Sequence, residues 1–365
     1  MRHRARAARR CSSLLAALVL LPISGGVLAG DDLGGYPVCE ASAAVIVQCP
    51  VRPDFDCLLV GDNEESRALF LYGLDHGLDS GRVDVASRRV VDIGELLTDQ
   101  RAGVADARGE LSDIEALTRL ASGEILVYGS HGRNKKCERK KKRRRHLGLR
   151  LEPDGALAGR VRLVQVRKMA NLADAFGSDP SGLLAEVADV VRTAEQDADA
   201  GHCEAAFNIE GAATSPTRGK NPRESVWIGL RSPLVRGNAV VARHDPTLGQ
   251  LHFDAIRLLD LGGEGIRGLS IAGGYVWGLS ASPGHAEHAS HRLWRFPSDA
   301  LAGDDRDRVI KVESVAEVPP RSEGLAISTE AIFVVADGQV GDGTCQQASS
   351  HVVLPLPPEG GGHPR

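Results

Sequence analysis

Apolar residues fall along this chain in short alternating or continuous runs of strand length, separated by turns rich in glycine. One unit recurs. Phe207 to Ala213 (Phe-Asn-Ile-Glu-Gly-Ala-Ala) is followed by Ser225 to Arg231, Asp113 to Leu117 by Glu124 to His131, Ile266 to Leu269 by Tyr275 to Ser280, and Ser322 to Ala326 by Ala331 to Asp337. A degenerate first copy couples Ser42 to Val45 with Cys57 to Asn63. Two further strands follow each of the first four pairs: Ala68 to Leu74 and Arg89 to Ile93, His146 to Leu151 and Arg160 to Val166, Asn238 to Arg243 and Leu251 to Leu261, and His291 to Phe296 and Val309 to Val318. Four strands per repeat predicts the blade of a β-propeller. The last repeat, with Glu323 to Ile327, Ala331 to Ala336 and His351 to Leu356, lacks an outer strand, and Tyr36 to Glu40 is expected to supply it and leave no open sheet edge.

The expected fold is therefore all-β: a β-propeller of about five four-stranded blades, with six as the alternative, carrying a short helical insert over residues 179–200. In that insert Leu183, Leu184, Val187, Val190, Val191 and Ala194 make one apolar stripe after Pro180.

The start of the chain follows a different logic. Arg2, Arg4, Arg6, Arg9 and Arg10 precede an apolar run from Leu14 to Ile23, and Val27-Leu28-Ala29 places small residues at both cleavage positions. The run is too short for a stable membrane span, so residues 1–29 read as a secretory signal peptide. Arg9-Arg10 is a weak match to a twin-arginine signal, and Cys11 lies too early to be a lipoprotein cysteine. Residues 30–358 then form a single propeller domain with no further candidate transmembrane segment, and residues 359–365 a disordered tail. The expected location is periplasmic or extracellular, and the expected state a monomer.

Six cysteines remain beyond Cys11: Cys39, Cys49, Cys57, Cys137, Cys203 and Cys345. An even number in an exported chain, with no Cys-x-x-Cys, favours disulfides over zinc. Cys49 ends one strand where Cys57 begins its partner, Cys137 and Cys203 should share one face, and Cys39 meets Cys345 if the N-terminal strand closes the ring. The expected pairs are therefore Cys49–Cys57, Cys137–Cys203 and Cys39–Cys345.

The formal net charge of −4 falls to about −9 without the signal arginines. One segment opposes this, a basic loop over 133–146 containing Arg133, Lys135, Lys136, Arg139 and the run Lys140 to Arg145, with only Glu138 against it. It has no interleaved aromatics for base stacking, which argues against nucleic acid. It reads either as a solvated hairpin loop or as a flexible electrostatic arm for phosphate-rich partners outside the cytoplasm. His285, His288 and His291 form a smaller polar loop.

Strands within a blade are antiparallel, so the start of each innermost strand and the end of the second lie at the same mouth of the central channel. The first set contributes Glu115, Glu210, Arg267 and Glu323; the second contributes Asp62 with Asn63 and Glu64, His131, Arg231 and Asp337. Two readings stay open. In one, Glu210 pairs with Arg231 and Glu115 with His131, tying strand to strand. In the other the mouth is a site: Asp62, Glu115, Glu210, Glu323 and Asp337 offer oxygens to a hard cation such as calcium, while His131, Arg231 and Arg267 receive an anionic or carbonyl-bearing ligand. No Gly-x-Ser-x-Gly elbow, His-Glu-x-x-His or phosphate loop names a reaction. Ser130 and His131, being adjacent on a strand, point apart and make poor catalytic partners.

Asp113 to Arg133 with its Gly-Ser-His, Phe207 to Leu234 with Asn-Ile-Glu-Gly and Gly-Leu-Arg-Ser-Pro-Leu, Asp260 to Leu269, and Ser322 to Asp337 resemble the bacterial family known as domain of unknown function 3616. More distantly, Glu-Gly-Leu-Ala looks like a pattern of exported phytase-like and esterase-like propellers. The resemblance implies a propeller and transfers no reaction. The chain departs from the repeated acidic pattern at Ala43 and Arg267.

The expected function is an exported propeller that binds a small polar or anionic ligand at the mouth, through calcium or directly, with a metal-assisted phosphoesterase or esterase as its enzymatic extension. The alternative is a non-catalytic scaffold that holds an envelope partner through the rim and the basic loop.

Overall fold

The computed structural model of the protein describes residues 30–357, apart from 36–37, 51, 76–81, 94–110, 153–159, 169–174, 179, 217–223, 249, 283–290, 303–308 and 342–343. The expected signal peptide and tail, His285, His288 and the Tyr36-Pro37 portion of the expected closing strand lie outside the described residues.

Five sheets form five blades whose own strands are antiparallel and run in chain order from the axis outward, the fifth closed at its outer edge by the N-terminal strand and the third extended by one parallel strand. After β1 (Asp31–Asp32), blade one holds β2 (Ala41–Gln48), β3 (Asp56–Asp62), β4 (Ala68–Asp75) and β5 (Arg82–Asp92). Blade two holds β6 (Ile114–Arg119), β7 (Ile125–Gly129), β8 (Arg145–Glu152) and β9 (Arg160–Lys168). Helix α1 (Gly182–Asp199) follows, then blade three with β10 (Asn208–Pro216), β11 (Glu224–Ser232), β12 (Ala239–His244) and β13 (Phe253–Asp260). Blade four holds β14 (Gly265–Ala272), β15 (Tyr275–Ala281) and β16 (His291–Pro297); β17 (Val309–Lys311) leaves it to pair in parallel with β13, and β18 (Glu313–Val318) completes it. The expected single strand from Val309 to Val318 is thus split between two blades. Blade five holds β19 (Ser322–Ile327), β20 (Ala331–Ala336) and β23 (Ser350–Pro355), with a hairpin of β21 (Gln339–Gly341) and β22 (Thr344–Gln347) inserted before β23.

The ring closes through the N-terminus, but with a different segment from the one expected. Asp31 and Asp32 pair antiparallel with His351 and Ser350. Residues 38–40 run instead beside Ser349 and Gly338, where Ser349 donates its N–H to Val38 and Gly338 donates to Cys39. All three expected disulfides are present: Cys39–Cys345, Cys49–Cys57 and Cys137–Cys203. They place the chain in an oxidising environment. The helices among the described residues include none long and apolar enough to cross a membrane.

Apolar clusters fill the clefts between blades. Leu59, Leu69, Ile114 and Val127 join blades one and two; Phe70, Tyr72, Phe333 and Val335 join five and one. Trp227, Val241, Trp294 and Phe296 join three and four, and Trp277, Leu293, Leu325 and Val334 join four and five. The cleft between blades two and three also takes the buried stripe Leu183, Val187, Ala188 and Val191 of α1, packed with Phe207 and Phe253. The insert therefore caps the side of the ring, as its 3.6-residue period requires.

One local feature repeats in every blade. The pairing of the innermost strand with the second slips at the same place, leaving one residue of the innermost strand unmatched: Ser42, Glu115, Glu210, Arg267 and Glu323, with a second slip in blade three that leaves Arg231 unmatched on the facing strand. A bulge re-aims the side chain of its extra residue. The glycine that follows three of these residues serves the close approach of neighbouring innermost strands. A Cβ on Gly268 would lie 2.8 Å from the Glu323 carbonyl oxygen, and one on Gly324 would lie 2.9 Å from the Ala43 carbonyl carbon. The position equivalent to the glutamates in blade one is thus Ser42, not Ala43; its hydroxyl donates to the Ile114 carbonyl of blade two.

Candidate functional site at the channel mouth

The bulged residues meet at the start of the innermost strands, and their charges are not independent. Glu210 is 2% exposed; its Oε1 accepts from Arg231 Nη1 at 2.8 Å and Asn208 Nδ2 at 3.0 Å, and its Oε2 accepts from Arg267 Nη1 at 3.0 Å. The same Arg267 nitrogen donates to Glu323 Oε1 at 2.6 Å. Arg267 of blade four thus bridges blades three and five. Burial works against its charge, but Glu210, Glu323 and Glu115 hold its pKa above the ordinary value. The expected pair Glu210–Arg231 is present, whereas Arg267 serves the carboxylates internally rather than waiting for a ligand.

Glu115 is also buried, with Oε2 lacking a hydrogen-bond partner. Burial, and then the nearby charges of Glu210 and Glu323, push its pKa well above the usual carboxylate range. Burial likewise raises Glu323 to about 7, against the pull of Arg267. Asp337, at the end of β20, is raised to about 9 by burial and by Glu323 and Glu40, and its Oδ1 is buried without a partner. Glu40 is raised to about 7 by burial and by Glu64 and Asp62. Desolvated carboxyls crowded together shed charge by keeping protons.

The structure departs from expectation at two site residues. Asp62 does not point a free carboxylate at the axis: its Oδ2 accepts from the Cys39 and Glu40 amides and its Oδ1 from the Glu64 and Glu65 amides. It shapes the segment that leads into blade one. His131 leaves the mouth altogether. β7 ends at Gly129, and His131 adopts a positive φ of 58° that turns its ring outward against Phe207, with centroids 6.4 Å apart, so no Glu115–His131 pair forms. Two residues were not singled out from the sequence. Glu40 precedes any repeat, and Asp113 pairs with Arg143 of the basic loop at 2.9 Å.

A fit for calcium requires carboxylate oxygens held clear of protein donors. Those of Glu210 and Asp62 are occupied by guanidinium or amide groups, as is one oxygen of Glu323. Among the described residues no group of three or more His, Cys, Asp or Glu is arranged to hold a metal ion. The donor set present is one for internal ion pairs.

Above this network lies a cavity of about 400 Å³, lined by Glu40, Glu323, Asp337, His291, Arg321 and Gln346 among others. Arg321 donates to the Gly338 carbonyl at its wall, and His291 Nδ1 lies 2.9 Å from the Ser322 carbonyl. A larger cavity of about 960 Å³ lies among the far ends of the innermost strands, lined by residues such as Thr118, Thr214, Ser270 and Trp277.

Fold and mouth together define a five-bladed β-propeller with a polar, proton-holding channel entrance. No family model matches the chain, and no curated protein matches it. Solved structures similar to it include an exo-β-1,3-galactanase from Clostridium thermocellum, at 10% identity over 92% of this chain and 63% of the other, with a TM-score of 0.45. Levansucrase from Bacillus subtilis matches at 6% identity over 90% of this chain and 86% of the other, with a TM-score of 0.47. A putative oxidoreductase (glucose dehydrogenase) from Thermus thermophilus matches at 13% identity over 90% of this chain and all of the other, with a TM-score of 0.36. The chain spans 63% of the length of the galactanase. These likenesses concern the course of the backbone and transfer no activity.

Proposed function

We propose that this is an exported propeller whose mouth binds a small, neutral, polyhydroxylated ligand. The observation that carries the reading is the cavity of about 400 Å³ into which Asp337, Glu323 and Glu40 project beside Arg321 and Gln346. Protonated carboxyls donate, amide and carboxylate oxygens accept, and guanidinium groups donate, so a hydroxyl, which does both, finds partners throughout. A phosphate ester suits the cavity less well. Arg267 is already bound to Glu210 and Glu323, and a dianion would lie against several carboxyls. Phosphoesterase chemistry therefore drops out of the reading. If the bound ligand is cleaved, Asp337, raised to about 9, is the group placed to give a proton to a leaving oxygen. Membership of the domain of unknown function 3616 family belongs to the same proposal, supported by the repeat residues and the five blades they build.

The test is calorimetric titration of the oxidised protein with a panel of neutral mono- and disaccharides, in parallel with Asp337→Asn. Saturable binding that weakens by about tenfold in the variant is expected, as for one lost hydrogen bond to a polar ligand. If no saccharide binds, the mouth is a structural ring. Capture of an envelope partner through the exposed Lys135, Lys136, Lys141 and Lys142 then becomes the better account.

A further inference from the structure

At the mouth the acceptors are largely engaged. Glu210 accepts from Arg231, Arg267 and Asn208, Glu323 Oε1 accepts from Arg267, and the Gly338 carbonyl accepts from Arg321. Asp337, raised to about 9, brings a proton of its own, and Lys135 of the basic loop adds an ammonium to the lining. A ligand rich in hydroxyls must still place its own O–H protons on something.

His291 meets that need. It opens β16 opposite Val318 of β18 and lines the mouth cavity, and its Nδ1 lies 2.9 Å from the Ser322 carbonyl oxygen. A carbonyl only accepts, so the ring proton sits on Nδ1. That carbonyl is itself held in place, because Ser322 pairs with Ala336 across β19 and β20 and its hydroxyl donates to the Pro319 carbonyl at 2.8 Å. Burial holds the His291 pKa below the usual histidine range, although the bond to Ser322 pulls the other way, so the ring is neutral at pH 7. Nε2 then carries a lone pair. It has no hydrogen-bond partner among the described residues, and although His291 is only 4% exposed, Nε2 is not sealed from solvent as both ring nitrogens of His131 are. Its opening lies on the mouth cavity.

We infer that His291 makes the mouth specific for a free hydroxyl group: Nε2 accepts a hydrogen bond from a ligand O–H, and an ether at that position is refused. The inference rests on the reading of the mouth as a site for a polyhydroxylated ligand, and adds which group of that ligand is recognised and by which atom. The guanidinium and ammonium donors bind hydroxyl and ether oxygens alike, since both kinds accept. A lone pair discriminates, because only an oxygen that carries hydrogen can donate to it. Where the ligand offers an ether instead, a desolvated nitrogen is left facing an oxygen with no hydrogen between them, at the cost of an unmade buried bond. The Ser322 carbonyl sets the direction of this preference, since the other tautomer would present an N–H and accept ethers as readily.

Long-range nitrogen–proton NMR correlation on the oxidised full chain reads the tautomer with no ligand present. A protonated Nδ1 and a bare Nε2 are expected, and a proton on Nε2 overturns the inference. The ligand probes are D-glucose, D-galactose and sucrose, each titrated beside its fully O-methylated form. A free sugar is expected to bind and to shift the Nε2 resonance, and its methylated form to bind at least about tenfold more weakly. His291→Asn keeps an N–H where Nδ1 stood and removes the acceptor, whereas His291→Gln places an amide oxygen near the Nε2 position and gives up the bond to Ser322. Recognition through Nε2 predicts a loss of roughly three- to tenfold in His291→Asn, with a narrower gap between free and methylated sugar, and a smaller loss in His291→Gln. A bond to Ser322 that serves the fold alone predicts the reverse order. The inference alone is overturned if free sugars bind but their methylated forms bind as tightly, if His291→Asn retains wild-type affinity, or if His291→Gln loses at least as much as His291→Asn. If none of the three sugars binds, the reading of the mouth as a saccharide site fails together with it.

Discussion

Replacing Arg267 with methionine removes a cation that bridges blades three and five, and its cost follows from what it leaves behind. Glu210, 2% exposed, loses the donor at Oε2, and Glu323 loses its 2.6 Å partner at Oε1. Taking one partner from a buried pair costs about 3–5 kcal/mol, because the remaining charge stays desolvated. Methionine occupies much of the arginine stem's volume, so packing loss adds little. The cost must depend on pH. Glu323 is already raised to about 7 with Arg267 beside it, and without that charge it rises further. Its folded pKa then lies above the unfolded value of about 4.3, so a proton stabilises the folded state and stability falls as pH climbs through the folded pKa. Each further unit of rise adds about 1.4 kcal/mol above that pH. Urea unfolding at pH 8 should therefore show a loss of about 3–5 kcal/mol, and at pH 5, where Glu323 is neutral, one smaller by about 1–2 kcal/mol. Adding Glu323→Gln to the variant should recover part of the pH 8 loss. A loss under about 1 kcal/mol at pH 8, or one equal at both pH values, would show that the network is not the tightly coupled element described.

Other perturbations test other parts of the structure. The wild-type protein should lose stability between about pH 6 and pH 9, because Glu40, Glu323 and Asp337, raised to about 7, 7 and 9, must ionise in the folded state while their unfolded counterparts already have; a midpoint that rises over this range would contradict the assignment. His131 has the opposite sign, its folded pKa lowered to about 3 by burial and Arg144, so its contribution is full above about pH 6.5 and lost as pH falls toward 3. Replacing both Cys39 and Cys345 by serine opens a loop spanning 306 positions and should cost on the order of 3–5 kcal/mol in chemical denaturation, with the mouth still able to bind if the fold survives. Gly278→Ala would put a methyl 2.1 Å from the buried Trp294 ring and should destabilise by about 1–3 kcal/mol, read as a drop in thermal midpoint; no drop would mean that the ring moves freely.

Much of this architecture is local in origin. Continuous apolar runs such as Ala331–Ala336 and Tyr275–Ala281, the glycines between strands and the 3.6-residue stripe of α1 each act over a few residues, so the bladed architecture, with five or six blades, the helix position and the expected disulfide partners are legible in the chain. The tandem Glu-Gly pattern likewise marks the residues that meet at the axis. What the sequence does not contain is the distance between residues far apart in it. The bulge that makes Ser42 the counterpart of Glu115, Glu210, Arg267 and Glu323 appears only when strand register is known. A single backbone angle at His131 moves that residue from the mouth to a cavity beneath the basic loop. Closure by Asp31 and Asp32 rather than residues 36–40 depends on which segment reaches the open edge of β23. The raised pKa values of Asp337 and Glu115 arise from burial beside other carboxyls, a property of the assembled ring and of no segment within it.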